Sequence, residues 1–123
     1  DYLPQRHGGT LMCHRAHRAD PDPLVDVGEK DITAHVNFTG IALAGQEAGL
    51  DVLGYTSQGH FLLNCGLLEL LPEGDPRAAA AVQKLVNEHE MGELFKVIAF
   101  ARGFDLRHFE PIGFAHGDRS HRL

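Results

Sequence analysis

The segment DITAHVNF, residues 31–38, constrains the fold of this chain most strongly, because it joins an extended pattern to a helical one. Asp31, Thr33 and His35 occupy alternate positions, and residues two apart in a strand project to the same face. The pattern therefore predicts three hydrogen-bonding side chains on one face of a strand that leads into a helix. A solvated strand edge is the alternative interpretation of the same pattern.

Helical and extended patterns alternate after this segment, which is typical of an α/β layout with helices packed on a sheet. Asn37 is a good N-cap for a first helix, and Gly49 stands where that helix should stop. Residues 51–55 form a short predicted strand. Thr56, Ser57 and Gln58 then enter a second helix, whose apolar stripe is expected at Phe61, Leu62, Cys65, Leu68 and Leu71.

The remaining elements are predicted from local signals. Asp75 as N-cap and Pro76 at the first helical position begin a third helix. Residues 95–101, FKVIAFA, form the clearest strand, expected to be central and buried because its apolar run is continuous. A short strand is expected around residues 112–114. The whole chain is predicted to be one α/β domain segment, with residues 3–30 as a substrate-side loop and residues 31–123 as the last strands and helices.

Composition excludes several classes of protein. A net charge of −6 over 123 residues argues against nucleic-acid binding. No apolar run reaches the roughly 18 to 20 residues that span a bilayer, so no membrane partner is predicted. Cys13 and Cys65 lie in different settings, which indicates reduced thiols in a cytoplasmic protein. The start at Asp1, with no glycine-rich nucleotide-binding turn after it, is expected of the later part of a longer protein.

Residues 3–30 read as a long loop that holds one brief strand at residues 10–13. Within it, the run CHRAHRAD contains Arg15, His17 and Arg18, which are suited to an anionic or carboxylate-bearing group. A solvated basic loop is the alternative. Cys13 with His14 and His17, and Asp31 with His35, invite a metal interpretation. The arginines beside His14 and His17 oppose a cation, however, and the ligand spacing of a structural zinc site is absent. No metal is therefore predicted.

Three further residues, at the start of the predicted second helix and within it, have polar or reactive side chains. Gln58 follows a strand end at the start of a helix, where open α/β sheets place ligand contacts, although it could equally cap the helix. Ser57 lacks the sequence context of a nucleophilic serine. Cys65 lies in the predicted apolar stripe and is expected to be a small core residue.

Several segments in the same order resemble one known family: GTLMCHRAHRADPDP, DITAHVNF, GYTSQGHFLLNCGLLELL, MGELFKVIAFARG and GDRSHRL. Together they resemble the C-terminal part of the MidA-type S-adenosylmethionine-dependent methyltransferases, conserved bacterial proteins related to a mitochondrial complex I assembly factor. The resemblance covers residues 10–123. It implies a Rossmann-like class I methyltransferase sheet with added helices, in which residues 1–2 end the fifth strand, 51–55 form the sixth and 95–101 the antiparallel seventh.

The resemblance also implies a cofactor and an acceptor. The cofactor is S-adenosylmethionine, and the residues that bind it are expected upstream of Asp1, where the family carries its glycine-rich loop. The mitochondrial relatives methylate a protein arginine, so a protein side chain is the expected substrate. Asn37 stands where the family often has aspartate, which keeps the N-cap and removes a charge.

A methyltransferase mainly positions its two reactants and keeps the nucleophile deprotonated. Asp31 and His35 are therefore the predicted catalytic residues, as possible bases. The predicted substrate contacts are Arg15, His17, Arg18, Thr33 and Gln58. The alternative function is a non-catalytic interaction module that grips an acidic partner through its His/Arg-rich loop.

Overall fold

The computed structural model describes residues 9–16, 18–105 and 107–123. The chain divides into two compact units, an N-terminal unit, Asp1–Asn37, and a C-terminal unit, Phe38–Leu123. The N-terminal unit holds strands β1 (Met12–Arg15), β2 (Arg18–Asp20) and β3 (Asp31–Thr33). The C-terminal unit holds α1 (Phe38–Glu47), β4 (Asp51–Ser57), α2 (Gln58–Asn64), α3 (Pro76–Val86), α4 (Met91–Leu94) and β5 (Lys96–Ala101). The fold is thus mixed α/β, and both of the described sheets are antiparallel.

The N-terminal unit is built on a three-stranded sheet in the order β2-β1-β3. The prediction of a long loop with one brief strand is therefore wrong, because β1 and β2 pair antiparallel as a hairpin. Ala16 adopts a left-handed conformation with φ 47°, which non-glycine residues seldom do. The left-handed positions of tight hairpin turns are usually occupied by Asn or Gly. Because this turn has Ala at that position, the sequence did not predict it. Cys13, in the middle strand, is fully buried.

The first predicted helix is confirmed as α1, together with its stop. Gly49 has φ 76°, and its N–H donates to the Gln46 carbonyl at 2.9 Å. The Leu50 N–H donates to the Gly45 carbonyl at 2.9 Å. This pair of bonds is a Schellman motif, which needs a left-handed residue and so favours glycine. The predicted cap of α3 is also confirmed, since the Asp75 carboxylate accepts from the Arg77 and Ala78 N–H groups at 2.9 and 3.2 Å.

The two strands of the C-terminal unit pair antiparallel, from Asp51 opposite Ala101 to Ser57 opposite Lys96. A register shift interrupts the ladder between Val52 and Gly54. The prediction that β5 is a strand is confirmed, but the expectation that it is buried is wrong. Its residues are half-buried along its whole length, because within the described residues β5 pairs with β4 alone.

The second helix is shorter than predicted. It ends at Asn64, and a 3₁₀ turn, Leu67–Leu70, follows Gly66, whose φ of 82° cannot continue an α-helix. Cys65 caps this helix and is exposed, so the expectation of a core cysteine is wrong. The helix instead packs through Phe61, whose ring meets that of Phe114 edge-on at 5.5 Å.

The predicted strand around residues 112–114 is wrong, since Ile112–Phe114 is a 3₁₀ turn. Pro111 precedes the turn, and Phe114 is buried with 8% of its surface exposed. The Phe114 ring lies over Gly54, where a side chain would collide with it. The packing of one ring over a distant glycine therefore decides the local structure of this segment.

Among the helices in the described part of the chain, none has the length and apolar character needed to cross a membrane.

Candidate acceptor-side site

The register of the N-terminal sheet decides which side chains share a face, because directly opposed residues of an antiparallel pair project to the same side. One face, here the Asp31 face, carries Met12, His14, Ala19, Asp31 and Thr33. The opposite face carries Cys13, Arg15, Arg18, Asp20 and Ile32. Asp31 and Thr33 therefore lie on one face of the sheet, and Arg15 and Arg18 lie on the opposite face.

Asp31 lies directly opposite His14 in the register, and both residues are exposed. Thr33 lies opposite Met12, and its hydroxyl donates to the Met12 carbonyl at 3.3 Å. The structure thus brings Asp31 and Thr33 to one face, as their spacing predicts, and engages Thr33 within the sheet. It also brings His14 to that face. The sequence places His14 in a possible metal site and in the CHRAHRAD run but not on the Asp31 face, because its neighbour Asp31 depends on the pairing of β1 with β3.

His35 is not part of the strand, since β3 ends at Thr33. The alternation over residues 31–35 would need a five-residue strand to place His35 on the Asp31 face. The His35 residue is exposed, and its N–H donates to the Thr10 hydroxyl at 3.0 Å. The role of His35 as a base stays a prediction.

Arg15 is held by acidic residues of its own unit. Its guanidinium donates to the Asp26 carboxylate at 3.0 Å and forms a second ion pair with Glu29. Arg18, which lies opposite Arg15 in the register, is exposed and forms no ion pair with another described residue. His17 lies outside the described residues. The roles of these three residues as substrate contacts stay predictions.

The connection between β2 and β3 is tied down by Lys30. Its ammonium donates to the Asp20 carboxylate, at 2.8 Å from Oδ2, and to the Asp22 carbonyl at 3.2 Å, and only 6% of its side chain is exposed. The hydrogen bond from Lys30 lowers the pKa of Asp20 below its ordinary value, and the same bond raises the pKa of Lys30. The acidic residues of this connection therefore serve mainly to fix it in place.

Gln58 lies in the C-terminal unit, at the first residue of α2. Its side-chain amide donates to the Leu85 carbonyl at 3.1 Å, and its backbone N–H donates to the Phe95 carbonyl at 2.9 Å. Both groups link elements of the fold. The peripheral substrate contact assigned to Gln58 stays a prediction.

Buried polar groups in the C-terminal unit surround the end of β4. The fully buried Thr56 donates its hydroxyl hydrogen bond to the Gly117 carbonyl at 2.7 Å. Ser57 caps α2, and its hydroxyl lies 2.9 Å from the His60 Nδ1 atom. The Asp118 carboxylate accepts from the Tyr55 N–H at 2.9 Å. These bonds hold the end of β4, which accounts for the burial of its hydroxyls.

An ion pair joins the C-terminal residues to α4. Arg119 donates to the Glu93 carboxylate at 2.5 Å, and Lys96 lies 3.2 Å from the same oxygen atom. The hydrogen bond from Arg119 lowers the pKa of Glu93 below its ordinary value. Like the bonds around β4, this ion pair belongs to the C-terminal unit, whereas the Asp31 face belongs to the N-terminal unit.

A metal site and a ligand pocket are the two other kinds of site that a fold can offer. Across the described ranges, no three His, Cys, Asp or Glu side chains come together as metal ligands. A pocket of about 260 Å³ opens on the C-terminal unit between α1, β4 and the last residues of the chain. It is lined by Thr39, Ala42, Leu43, Gln46, Val52, Ser120 and Leu123. Because no charged side chain lines it, this pocket offers no base or anion contact for catalysis.

Comparisons with known proteins connect this geometry to one family. Residues 1–56 match the model of a family described as "Putative S-adenosyl-L-methionine-dependent methyltransferase". Two crystal structures from Burkholderia thailandensis are each 57% identical to the chain, cover 99% of it and superpose with a TM-score of 0.74. One is of an uncharacterised protein. The other, a member of the same superfamily described as a "likely methyl transferase", is bound to S-adenosyl-homocysteine.

The chain spans only part of these relatives, 34% of the first structure and 33% of the second. No curated protein matches it. The resemblance predicted from the sequence is nevertheless confirmed by the family model and by both structures.

Proposed function

Because this chain fits the C-terminal part of a MidA-type methyltransferase, we propose that its protein transfers a methyl group from S-adenosylmethionine and that this chain supplies the acceptor side. One observation carries the proposal: 57% identity over 99% of the chain to a structure bound to S-adenosyl-homocysteine. S-adenosyl-homocysteine is what the cofactor becomes once its methyl group has been transferred.

The fold proposed for the whole protein is a Rossmann-like class I methyltransferase sheet, of which this chain forms the last part within one domain. The pairing of β4 with β5 supports it, since the resemblance implies that an antiparallel strand lies beside the sixth strand. The proposed location is the cytoplasm, supported by the free thiols of Cys13 and Cys65.

The described residues offer no cradle for the cofactor. β4 runs directly into α2 with Ser57 as the cap, and no glycine-rich turn separates them. A close backbone approach to an adenosyl group usually requires such a turn. As the family resemblance implies, we propose that the residues that bind the cofactor lie in the part of the protein upstream of Asp1. When bound, the cofactor supplies an electrophilic methyl group, and the residues of this chain hold the group that receives it.

We propose that Asp31, His35 and Thr33 orient the acceptor, with either of the first two as the base, and that Arg15, His17, Arg18 and Gln58 make further contacts with the substrate. The exposed carboxylate of Asp31 supports this assignment, since a carboxylate accepts hydrogen bonds from the N–H groups of a cationic side chain. A protein arginine is the proposed acceptor. That choice rests on the mitochondrial relatives of the family.

The alternative function, a module that grips an acidic partner through the His/Arg-rich loop, has less support. A basic loop attracts an acidic partner only while its charge is uncompensated. Arg15 already faces the carboxylates of Asp26 and Glu29 within its own unit. An acidic partner would have to displace them to reach Arg15, whereas Arg18 forms no ion pair with another described residue.

Calorimetric titration with S-adenosylmethionine tests the proposal on the full-length protein and on the 123-residue chain alone. We expect the full-length protein to bind, S-adenosylhomocysteine to compete, and the chain alone to show no binding. Transfer of tritiated methyl groups to proteins of a cell extract then tests the reaction. Failure of the full-length protein to bind the cofactor would contradict the proposed function, and tight binding by the chain alone would contradict the division of roles.

A further inference from the structure

We infer that His14, paired with Asp31 across the sheet, is the proton-accepting residue of the acceptor-side site. The inference rests on the proposed function and deepens it, because it assigns a base that the spacing of residues 31–35 does not indicate. The observation behind it is the register that sets His14 on β1 opposite Asp31 on β3.

The sheet register places the two residues next to each other on the Asp31 face. Directly opposed residues of an antiparallel pair have Cβ atoms about 4.5 to 5.5 Å apart, so an imidazole ring and a carboxylate can meet above the sheet. Both residues are exposed. On the other side of His14 stands Ala19 on β2, whose small side chain leaves the imidazole accessible from that direction.

The other acidic residues in the described part of the N-terminal unit already have partners. Asp20 is bound by Lys30, and Asp26 and Glu29 by Arg15. Asp22 accepts the Leu24 N–H at 2.9 Å, which forms a local turn. In contrast, the side chains of Asp31 and His14 form no hydrogen bond or ion pair with another described residue. The fold therefore makes no structural use of this pair.

The electrostatic surroundings of His14 are also simple. On the same face, Met12 shares the strand of His14, Ala19 lies opposite His14 on β2, and Asp31 lies opposite it on β3. Among the described strand residues, Asp31 is therefore the one titratable group on this face besides His14. Arg15, Arg18 and Asp20 lie on the opposite face. Among the described strand residues, no cation shares the Asp31 face with His14.

The chemical role follows from these neighbours. As the acceptor group becomes a nucleophile, it loses a proton, which moves to the free nitrogen of the His14 imidazole. The Asp31 carboxylate stands opposite His14 without a hydrogen bond to it. In the proposed reaction it turns to the other ring nitrogen as the acceptor binds, orients the ring and stabilises the imidazolium that forms. Asp31 thus acts as the positioning residue, while His14 takes the proton.

The test compares His14→Gln, Asp31→Asn and the double variant in the full-length protein, with His89→Gln as the matched control. His89 is an exposed histidine in a turn of the C-terminal unit. The rate is measured as tritiated methyl transfer from S-adenosylmethionine to proteins of an extract from cells that lack this protein. We expect His14→Gln to lower the rate by about 10²- to 10⁴-fold, the usual effect of losing a positioned base.

The double variant should be no slower than the slower single variant, because the two residues act as one unit. Cofactor affinity by calorimetry and the melting temperature should stay at wild-type values. A second readout does not depend on turnover: the ¹⁵N chemical shifts of the His14 ring should change in Asp31→Asn and stay unchanged in His89→Gln.

Two results would overturn the inference while leaving the proposed function intact. One is wild-type turnover in His14→Gln, and the other is a His14 ring whose ¹⁵N shifts do not respond to Asp31→Asn. The absence of both cofactor binding and methyl transfer in the wild-type protein would instead overturn the proposed function, and this inference with it.

Discussion

The two units of the chain differ in how they use their polar side chains. In the C-terminal unit, the hydroxyls of Thr56 and Ser57 are almost wholly buried, 0% and 2% exposed, and each is hydrogen-bonded within the fold. In the N-terminal unit, three strands of three or four residues present Asp31 and His14 to the exterior.

The difference in burial indicates which polar side chains stabilise the fold and which are available for chemistry. A polar group that satisfies a buried partner cannot be changed without loss of stability, whereas an exposed one costs the fold little. Binding and catalytic groups are disproportionately found on exposed segments carried by a fixed scaffold. The comparison therefore places the candidate reactive groups in the N-terminal unit and most of the stabilising polar network in the C-terminal unit.

The strongest test of this comparison sets Asp31→Ala against Asp118→Ala in the full-length protein. Asp31→Ala should lower turnover by about 10²- to 10⁴-fold, because a positioned proton-accepting or orienting group is lost. Its cofactor affinity and melting temperature should be unchanged. Methyl-transfer kinetics, calorimetry and thermal unfolding measure the three quantities.

Asp118→Ala should do the reverse, because its carboxylate accepts from the Tyr55 N–H and from the Ser120 hydroxyl at 2.9 and 2.7 Å. Loss of a hydrogen bond to a charged group costs about 1.5 to 3 kcal/mol of unfolding free energy. The rate per folded molecule should be retained. If Asp31→Ala lowered the melting temperature and spared the rate, the two units would not differ in the way described.

A second prediction concerns close packing in the C-terminal unit. A Cβ atom at Gly92 would overlap the Val86 carbonyl and lie 2.8 Å from the Asn87 carbonyl oxygen. We expect Gly92→Ala to lower the unfolding free energy by about 1 to 3 kcal/mol, since overpacking forces the backbone to shift. Chemical denaturation measures the loss.

Gly54→Ala is the matched comparison for that prediction. Its Cβ would meet the Phe114 ring and lie 2.8 Å from the Phe114 Cβ atom, whereas at Gly92 all of the nearest atoms belong to backbone carbonyls, which yield less than a ring does. The loss should therefore be smaller than for Gly92→Ala. The opposite order would show that the Phe114 ring is held more rigidly than the end of α3.

A third prediction tests the cap of α3. Asp75→Ala removes the acceptor of two N–H groups and should lower the unfolding free energy by about 1 kcal/mol. Asp75→Asn is the control, because asparagine caps a helix about as well as aspartate does. Equal losses in the two variants would mean that the negative charge, and not the cap, stabilises the helix.

The smallest expected effect is the pH dependence of the Arg119–Glu93 pair. The pKa of Glu93 is lowered in the folded protein, mainly by the hydrogen bond from Arg119. Its contribution to stability is therefore complete above its ordinary pKa of 4.5 and is lost as the pH falls through the lowered value. Because the Glu93 side chain is 37% exposed, the contribution should be about 1 kcal/mol or less.

Denaturation of wild type and Glu93→Gln from neutral to acidic pH measures this contribution. The two proteins should differ at neutral pH and converge in acid. Added salt should narrow the gap, since it screens partly exposed charges. A gap that stays constant down to low pH would exclude the ion pair as its cause.

Sequence patterns predicted the elements that local chemistry determines. Gly49 and Asp75 mark helix ends through the conformation or hydrogen bonds of their own residues, and both predictions are confirmed. The elements that were missed depend on distant partners or on an unusual residue. The 3₁₀ turn Ile112–Phe114 forms where Phe114 packs on Phe61, and the hairpin turns at a left-handed Ala16.

The candidate site also has features that a local pattern predicts and features that depend on distant partners. The two-residue period places Asp31 and Thr33 on one face, which is a property of any strand. The length of that strand and the identity of its neighbour depend on pairing with β1, which no local pattern encodes. For that reason His35 was expected on the face and His14 was not.

The bond between Tyr55 and Asp118 has a consequence for how the chain acquires its structure during synthesis. Its two residues are 63 positions apart, and the bond from Thr56 to Gly117 closes a gap of 61. At about 5 to 20 residues per second, a ribosome needs roughly 3 to 13 s to add those residues. Throughout that interval, the Thr56 hydroxyl and the Tyr55 amide must be hydrated or held by transient partners. The hydrogen bonds that hold the end of β4 can therefore form in the nascent chain only after the segment around Asp118 has been translated.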